Sequence, residues 1–257
     1  MRGSIDHSAS SAPGAVEAVT FDFWNTIARA PAGLMSEARR RAIAQACKEC
    51  GVELEAELLV ESLAVVSRSY ESSWSVGKHF HPREGAEMLV RSLGLDGVVG
   101  ERAAEAFLTV ARDAPVELSA DIRPSLEAFQ ERGTRLGIVC DVGFSGGAVL
   151  RELLDREGLL AHFSGWAFSD EVGHYKPAPQ IFEAALAALG AEPAAAMHVG
   201  DLRRTDIAGA SRLGMRTARY RALHDDPQTG SAVIEADFVL DSHLELPRLI
   251  DRIEDRP

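Results

Sequence analysis

Two hydrophobic patterns alternate along the chain: short apolar runs typical of buried strands, and longer stretches with apolar residues at helical spacing. The first run, residues 16–21 (VEAVTF), ends at an aspartate. From residue 122 onward, strand-like and helix-like patterns follow one another with short turns between them. This alternation predicts an α/β fold with a doubly wound, mainly parallel sheet. We expect strands over 135–140, 166–168, 195–199, 216–220 and 237–240, and helices over 124–132, 147–156, 178–190, 205–213 and 244–253.

The segment between the first strand and the rest of the sheet is different in character. It is helical by pattern and too long for a loop, with helices expected over 37–50, 55–69, 83–93 and 101–113. Ligands of open parallel sheets bind at the carboxyl ends of the strands, so an insertion after the first strand would cover that edge. We therefore predict a flexible tail over 1–14, an α/β core over 15–28 and 114–257, and an inserted helical cap over 29–113.

Polar residues follow the strands that meet at this edge. They are Asp22 after the first strand, Cys140 and Asp141 after the second, Lys176 downstream of the third, and Asp201 and Asp206 after the fourth. Several carboxylates in one crevice raise each other's pKa, and a hard divalent cation relieves that repulsion. We expect Asp22 and Asp201 each to give an oxygen to Mg²⁺, with Asp206 as a ligand or as an anchor behind the ligands. Lys176 would hold an attacking carboxylate and stabilise the negative charge that develops during the reaction.

The ordered set of Asp22, Thr26, Cys140, Lys176-Pro177 and Gly200-Asp201 resembles the four motifs of the haloacid dehalogenase-like (HAD) superfamily. The segments SDEVGHYKPAPQIFEAAL and HVGDLRRTDIAGA are the most specific parts of the resemblance, which covers nearly the whole chain outside the tail. It implies a covalent mechanism in which the first aspartate attacks phosphorus. It also implies that Thr26 and the residue at position 140 contact the phosphoryl oxygens. The Mg²⁺ ligands implied are Asp22, the backbone carbonyl of Trp24, and Asp201.

Two positions depart from the pattern of the family's phosphatases. Trp24 stands where those enzymes carry a second aspartate that protonates the leaving group, and an indole cannot transfer that proton. General acid–base help is typically worth ~10²–10⁴-fold. Either the leaving group needs no proton, or another group such as Asp141 supplies it, or the chemistry differs. Cys140 replaces a serine or threonine, and we interpret it as a small buried residue rather than an activated thiol.

Three functions remain open from the sequence. The first is a Mg²⁺-dependent phosphatase acting on a small phosphorylated metabolite, with Trp24, Thr26, Cys140 and Asp141 near the substrate. The second is a 2-haloacid dehalogenase-like hydrolase, since those members of the family also carry an aromatic residue at the position of Trp24. The third is a phospho-ligand-binding relative without catalysis. Lys78 lies in a polar and aromatic loop of the expected cap, where it would contact the substrate.

Composition narrows the partners. The formal net charge is −12, which argues against a general nucleic-acid binder. No stretch approaches the ~20 apolar residues that cross a membrane, and the N-terminus lacks a secretory pattern, so we expect a cytoplasmic protein. The three cysteines suggest neither a disulfide framework nor a zinc site. A monomer and a homodimer are equally compatible with the sequence.

Overall fold

A six-stranded sheet forms the centre of the protein, described here by a computed structural model that covers residues 14–228 and 234–254. Its strand order is β5-β4-β1-β6-β7-β8, and every neighbouring pair is parallel. The strands are β1 (Ala18–Phe21), β4 (Arg135–Cys140), β5 (Gly165–Phe168), β6 (Ala196–Gly200), β7 (Arg216–Tyr220) and β8 (Phe238–Leu240). All four β1 residues are buried, because β1 lies between β4 and β6 with helices on both faces of the sheet.

Ten α-helices accompany these strands in the described part of the chain. They are α1 (Leu34–Glu49), α2 (Ala56–Ser75), α3 (Pro82–Ser92), α4 (Gly97–Thr109), α5 (Ile122–Arg132), α6 (Gly147–Arg156), α7 (Ser169–Val172), α8 (Pro179–Leu189), α9 (Ala208–Arg212) and α10 (Glu245–Glu254). Helix α8 shows how local sequence sets the bounds. Pro179 occupies its first turn, where no backbone N–H is needed, and Gly190 ends it at φ 62°.

Two apolar clusters pack against opposite faces of the sheet. Phe21 and Phe129 belong to the larger cluster, while Phe182 and Leu189 of α8 belong to the other. Burying each such side chain contributes roughly 1.5–3 kcal/mol. The approach of α8 requires glycine on β5, since a Cβ at Gly165 would lie 2.6 Å from Leu189 Cγ. This close packing fixes the sheet, and with it the positions of the strand ends.

Helices α1–α4 form a third apolar cluster above the carboxyl ends of the strands. The cluster reaches the core through Tyr175, whose hydroxyl donates to Phe80 O at 2.9 Å. Two short strands, β2 (Ala28–Arg29) and β3 (Glu117–Leu118), pair antiparallel where the chain leaves the sheet and returns. This ribbon was not predicted from the sequence. The predicted division into a core and a cap at residues 29 and 113 stays a prediction.

The predicted α/β fold is confirmed, with differences at the ends of elements. The helix predicted from residue 101 begins earlier, at Gly97. The helix predicted over 205–213 is a π-helical turn, Arg203–Ile207, followed by α9. The predicted flexible tail lies outside the described residues except for Gly14. Within the described ranges, no helix is both long and apolar enough to span a bilayer.

A buried histidine gives the fold a testable pH dependence. His243 is fully buried, stacks on Tyr220 with ring centroids 4.0 Å apart, and donates from Nε2 to Thr26 O at 2.9 Å. Burial lowers its pKa from 6.5 to about 4. The unfolded chain therefore binds the proton more readily, so stability present above the unfolded pKa is lost as the pH falls toward the folded one.

We expect this group to remove roughly 2 kcal/mol of unfolding free energy between about pH 7.5 and about pH 5. Urea unfolding at both pH values should show this loss in the wild type and a correspondingly smaller loss in His243→Gln. Replacement of the exposed His174 by Gln is the matched control. Equal acid destabilisation in the wild type and His243→Gln would rule out this role.

Candidate active site

Asp22 directly follows β1 at the carboxyl edge of the sheet. Its backbone N–H donates to Val199 O at 2.8 Å, which fixes the residue beside the end of β6. Its side chain is 8% exposed, and Oδ1 accepts from Lys176 Nζ at 2.5 Å while Oδ2 accepts from Thr26 Oγ1 at 3.4 Å. Burial raises the pKa of Asp22 to about 7, although the Lys176 charge opposes the shift. Two donors, Lys176 Nζ and Thr26 Oγ1, therefore orient the Asp22 side chain.

The turn after Asp22 depends on an unusual backbone conformation. Asn25 has φ 60°, a left-handed conformation that asparagine tolerates better than most residues. Its N–H donates to Ala28 O at 2.7 Å, and Ile27 N donates to Phe23 O at 3.0 Å. This tight turn keeps Trp24 and Asn25 beside Asp22.

Lys176 is the central cation of the site. Its ammonium donates to Asp22 Oδ1, to Asp206 Oδ1 at 2.7 Å and to Val139 O at 3.1 Å, so its three donors have three acceptors. The side chain is 3% exposed. Burial alone would lower its pKa, but the charges of Asp206 and Asp22 raise it well above the usual value. Lys176 is therefore charged and rigidly held.

Asp206 is saturated by hydrogen bonds. Oδ1 accepts from Lys176 Nζ and His198 Nε2, and Oδ2 accepts from Leu202 N at 3.1 Å and Thr205 Oγ1 at 3.2 Å. Burial alone would raise its pKa, yet the Lys176 charge holds that pKa well below its usual value. With both oxygens engaged, the geometry favours the predicted anchor role over a direct metal ligand. His198, fully buried, acts here through Asp206.

Asp201 follows β6 and is 3% exposed. Burial, together with the charges of Asp22 and Asp206, raises its pKa to about 9. Its Oδ2 lies 2.7 Å from His224 Nδ1. An additional positive charge next to Asp201 would therefore stabilise its ionised form.

His224 is a site residue that the sequence analysis missed. The loop that carries it is anchored on both sides: Arg203 N donates to Asp226 Oδ2 at 2.8 Å, and Arg219 pairs with Asp225 at 2.6 Å. A signal was available, because His224 follows β7, another parallel strand that ends at the same edge. The contact itself joins residues 23 apart in sequence and leaves no periodic trace.

Asp22, Lys176, Asp201 and Asp206 line a cavity of roughly 160 Å³ that opens between α2 and the strand ends. Its wall combines carboxylates, one lysine and aromatic rings: Asp22, Trp24, Asn25, Tyr70, Trp74, Asp141, Lys176, Asp201, Leu202, Thr205 and Asp206. A larger cavity of roughly 360 Å³ between α3 and α4 contains none of the strand-end residues. The residues predicted to carry the chemistry therefore line the smaller one.

Three residues expected to contact substrate lie outside the lining of this cavity. Thr26 and Cys140 are fully buried behind Asp22. Burial and the charge of Asp22 raise the pKa of Cys140 well above its usual value, which keeps the thiol neutral and argues against an activated thiol. Lys78 is exposed in the loop after α2. The structure gives no support to substrate contact by Lys78, and that role stays a prediction.

Trp24 lies in the cavity wall. Its ring packs edge-on against Phe23 with centroids 4.8 Å apart, and its backbone bridges to Ala28. The indole is half-buried against the core cluster that contains Phe23. Position 24 therefore contributes shape and an apolar surface beside Asp22, and carries no carboxyl group.

The donor set fits Mg²⁺. Asp22 and Asp201 offer oxygens to the same cavity, and four carboxylates line it against one lysine. No cluster of three or more His, Cys, Asp or Glu side chains with metal-site spacing occurs in residues 14–228 and 234–254. Mg²⁺ does not require one, because it is commonly held by one or two carboxylates and completes its shell with waters and substrate oxygens. The backbone carbonyl of Trp24 is a third donor expected from the resemblance.

Known proteins match this chain over most of its length. A family model described as haloacid dehalogenase-like hydrolase matches residues 16–214. Glyceraldehyde 3-phosphate phosphatase of Methanopyrus kandleri is 34% identical over 239 residues, which span 90% of this chain and 95% of that protein. A 2-haloacid dehalogenase from Pseudomonas syringae superposes with a TM-score of 0.67 at 25% identity, over 92% of this chain and 99% of the other. A HAD phosphatase from Thermococcus onnurineus gives 0.59 at 24% identity, over 91% and 97%.

The chain therefore belongs to the haloacid dehalogenase-like hydrolases. The resemblance inferred from the ordered strand-end motifs is confirmed. The roles of the individual site residues stay predictions.

Proposed function

We propose that this hydrolase is a Mg²⁺-dependent phosphatase that acts on a small phosphorylated metabolite. The observation that carries the proposal is the buried Asp22, held by Lys176 in a cavity that also contains the carboxyl group of Asp201. The 34% identical relative from Methanopyrus kandleri is a glyceraldehyde 3-phosphate phosphatase and supports the same class of substrate. The small cavity also favours a short ester.

In the proposed reaction, an oxygen of Asp22 attacks phosphorus and the leaving-group oxygen departs, which leaves an aspartyl-phosphate that water then hydrolyses. Lys176 and Thr26 hold the carboxylate in position for attack. Lys176 also places a positive charge beside the developing anion. Mg²⁺ bound by Asp22 and Asp201 would neutralise charge on the incoming phosphate.

The metal requirement separates this proposal from the dehalogenase alternative. We expect phosphate release from glyceraldehyde 3-phosphate and p-nitrophenyl phosphate with Mg²⁺, its loss in EDTA, and its recovery when Mg²⁺ is restored. Phosphate is measured colorimetrically. The calcium-loaded protein is the control, since Ca²⁺ takes the same oxygen ligands in a looser geometry. Phosphate release undiminished in EDTA would contradict the metal requirement.

One observation favours the second candidate, a 2-haloacid dehalogenase-like hydrolase. Trp24 is an aromatic residue two positions after the nucleophile, where those relatives also lack an acid, and one such structural relative superposes over most of the chain. That reaction predicts halide release from 2-chloropropionate in the presence of EDTA, measured by halide titration. Neither phosphate nor halide release, with phosphate binding intact, would instead identify a phospho-ligand-binding protein.

A further inference from the structure

Asp141 is the residue of the core that lines the cavity directly after β4. It follows β4 and lines the same wall as Asp22 and Lys176, half-buried with its carboxyl group reachable from the cavity. Its position is fixed by two donors: Oδ1 accepts from Lys176 N at 2.9 Å, and Oδ2 accepts from Trp74 Nε1 at 3.0 Å. Each oxygen keeps a second lone pair that can carry a proton.

Trp74 is itself held in place. It lies on α2, 67 residues from Asp141 in sequence, so the hydrogen bond joins the insertion to the core. The guanidinium of Arg204 stacks over its ring, 4.2 Å from the centroid. Trp74 therefore positions Asp141 only when α2 lies over the strand ends.

We propose that Asp141 is the general acid and base of this enzyme, taking the role that Trp24 cannot perform, and that Trp74 is the positioning residue that aims it. The inference rests on the proposed phosphatase function. Burial raises the pKa of Asp141 above its usual value, although the charge of Lys176 and the two hydrogen bonds of Asp141 oppose this shift. The raised pKa favours a carboxyl group that keeps its proton.

The other titratable groups that line the cavity are committed elsewhere. Asp22 is the nucleophile, and Asp206 and Lys176 neutralise each other. Asp201 is engaged with His224. The pKa of Tyr70 is raised far above its usual value, chiefly by burial, so its hydroxyl is too weak an acid. Among the described residues that line the cavity, Asp141 remains.

The proton balance closes over two steps. As the bond from Asp22 to phosphorus forms, the bond from phosphorus to the leaving oxygen breaks, and the electron pair on that oxygen takes the proton of Asp141. The Asp141 carboxylate then accepts a proton from water while the water oxygen attacks phosphorus. The bond between the Asp22 oxygen and phosphorus breaks and phosphate is released, which restores ionised Asp22 and protonated Asp141.

Leaving-group dependence tests this role. An alkoxide is strongly basic and needs the proton, whereas p-nitrophenolate departs as a stable anion. We expect Asp141→Asn to lower kcat for glyceraldehyde 3-phosphate by ~10²–10⁴-fold and to change kcat for p-nitrophenyl phosphate little. Trp74→Phe, which keeps the ring over Arg204 but removes the donor, should give a smaller loss with the same substrate selectivity.

Asp170→Asn is the matched control, because Asp170 also follows a strand and accepts from a backbone N–H, that of Gly147, but lies outside the cavity lining. It should affect both substrates equally. Equal losses with both substrates in Asp141→Asn, or no loss with either, would overturn the inference while leaving the phosphatase proposal intact. A wild type that hydrolyses neither substrate would instead overturn the phosphatase proposal, and the inference with it.

Discussion

Asp22→Asn is expected to abolish phosphate release, with a loss on the order of 10⁴-fold or more in kcat, as for removal of a covalent nucleophile. An amide cannot form the aspartyl-phosphate, an acyl phosphate, at a useful rate. The substitution nearly preserves shape, and Lys176 keeps its bonds to Asp206 and Val139 O. The fold should therefore survive, which circular dichroism and urea unfolding can verify.

The measurement is single-turnover phosphate release with glyceraldehyde 3-phosphate, together with mass spectrometry of acid-quenched enzyme to detect phosphate on the protein. Asp170→Asn serves again as the carboxamide control and should retain turnover. Wild-type rates in Asp22→Asn, or a covalent phosphate adduct that persists in it, would show that another residue is the nucleophile.

The sheet could be predicted from the sequence because each buried strand is a short apolar run, and because such runs end at polar residues. The same rule placed Asp22, Asp141, Lys176 and Asp201 at one edge, where the structure has them in a single cavity. In parallel sheets, topology brings strand ends together, so a one-dimensional pattern carries three-dimensional information.

Contacts between the insertion and the core were not predictable in the same way. The Trp74–Asp141 hydrogen bond depends on how α2 packs over the sheet, which no local periodicity encodes. The loop around Lys78 illustrates the limit: its composition suggested a substrate contact, while the structure leaves Lys78 exposed. The π-helical turn at Arg203–Ile207 was also not predicted. Its shape allows Asp206 to accept from Leu202 N, a contact that the sequence pattern does not show.

In the proposed mechanism, the tertiary structure supplies the acid that position 24 lacks. Trp24 and Trp74 both line the cavity, but only Trp74 has a hydrogen bond to a carboxylate there among the described residues. The proposed acid therefore belongs to the loop after β4 and depends on the insertion for its orientation. This coupling would link proton transfer to the position of α2 over the strand ends.

Lys176→Met is expected to have the largest effect on stability. It would remove the charge that compensates Asp22 and Asp206, which are 8% and 1% exposed, and leave both carboxylates buried without a cation. Breaking a buried ion pair by removing one partner typically costs about 3–5 kcal/mol. Methionine nearly fills the volume of the lysine stem, so the loss would come from electrostatics rather than from a cavity.

Urea unfolding without added metal measures the loss, with Lys48→Met on the exposed face of α1 as the control that should remain near wild type. Turnover should fall together with stability, because Asp22 loses the donor that orients it. Lys176→Arg would not restore either property fully, since a planar guanidinium cannot reproduce the three-way contact of an ammonium. A Lys176→Met protein as stable as the wild type would show that the two carboxylates are protonated in the native state, and that Lys176 does not balance their charge.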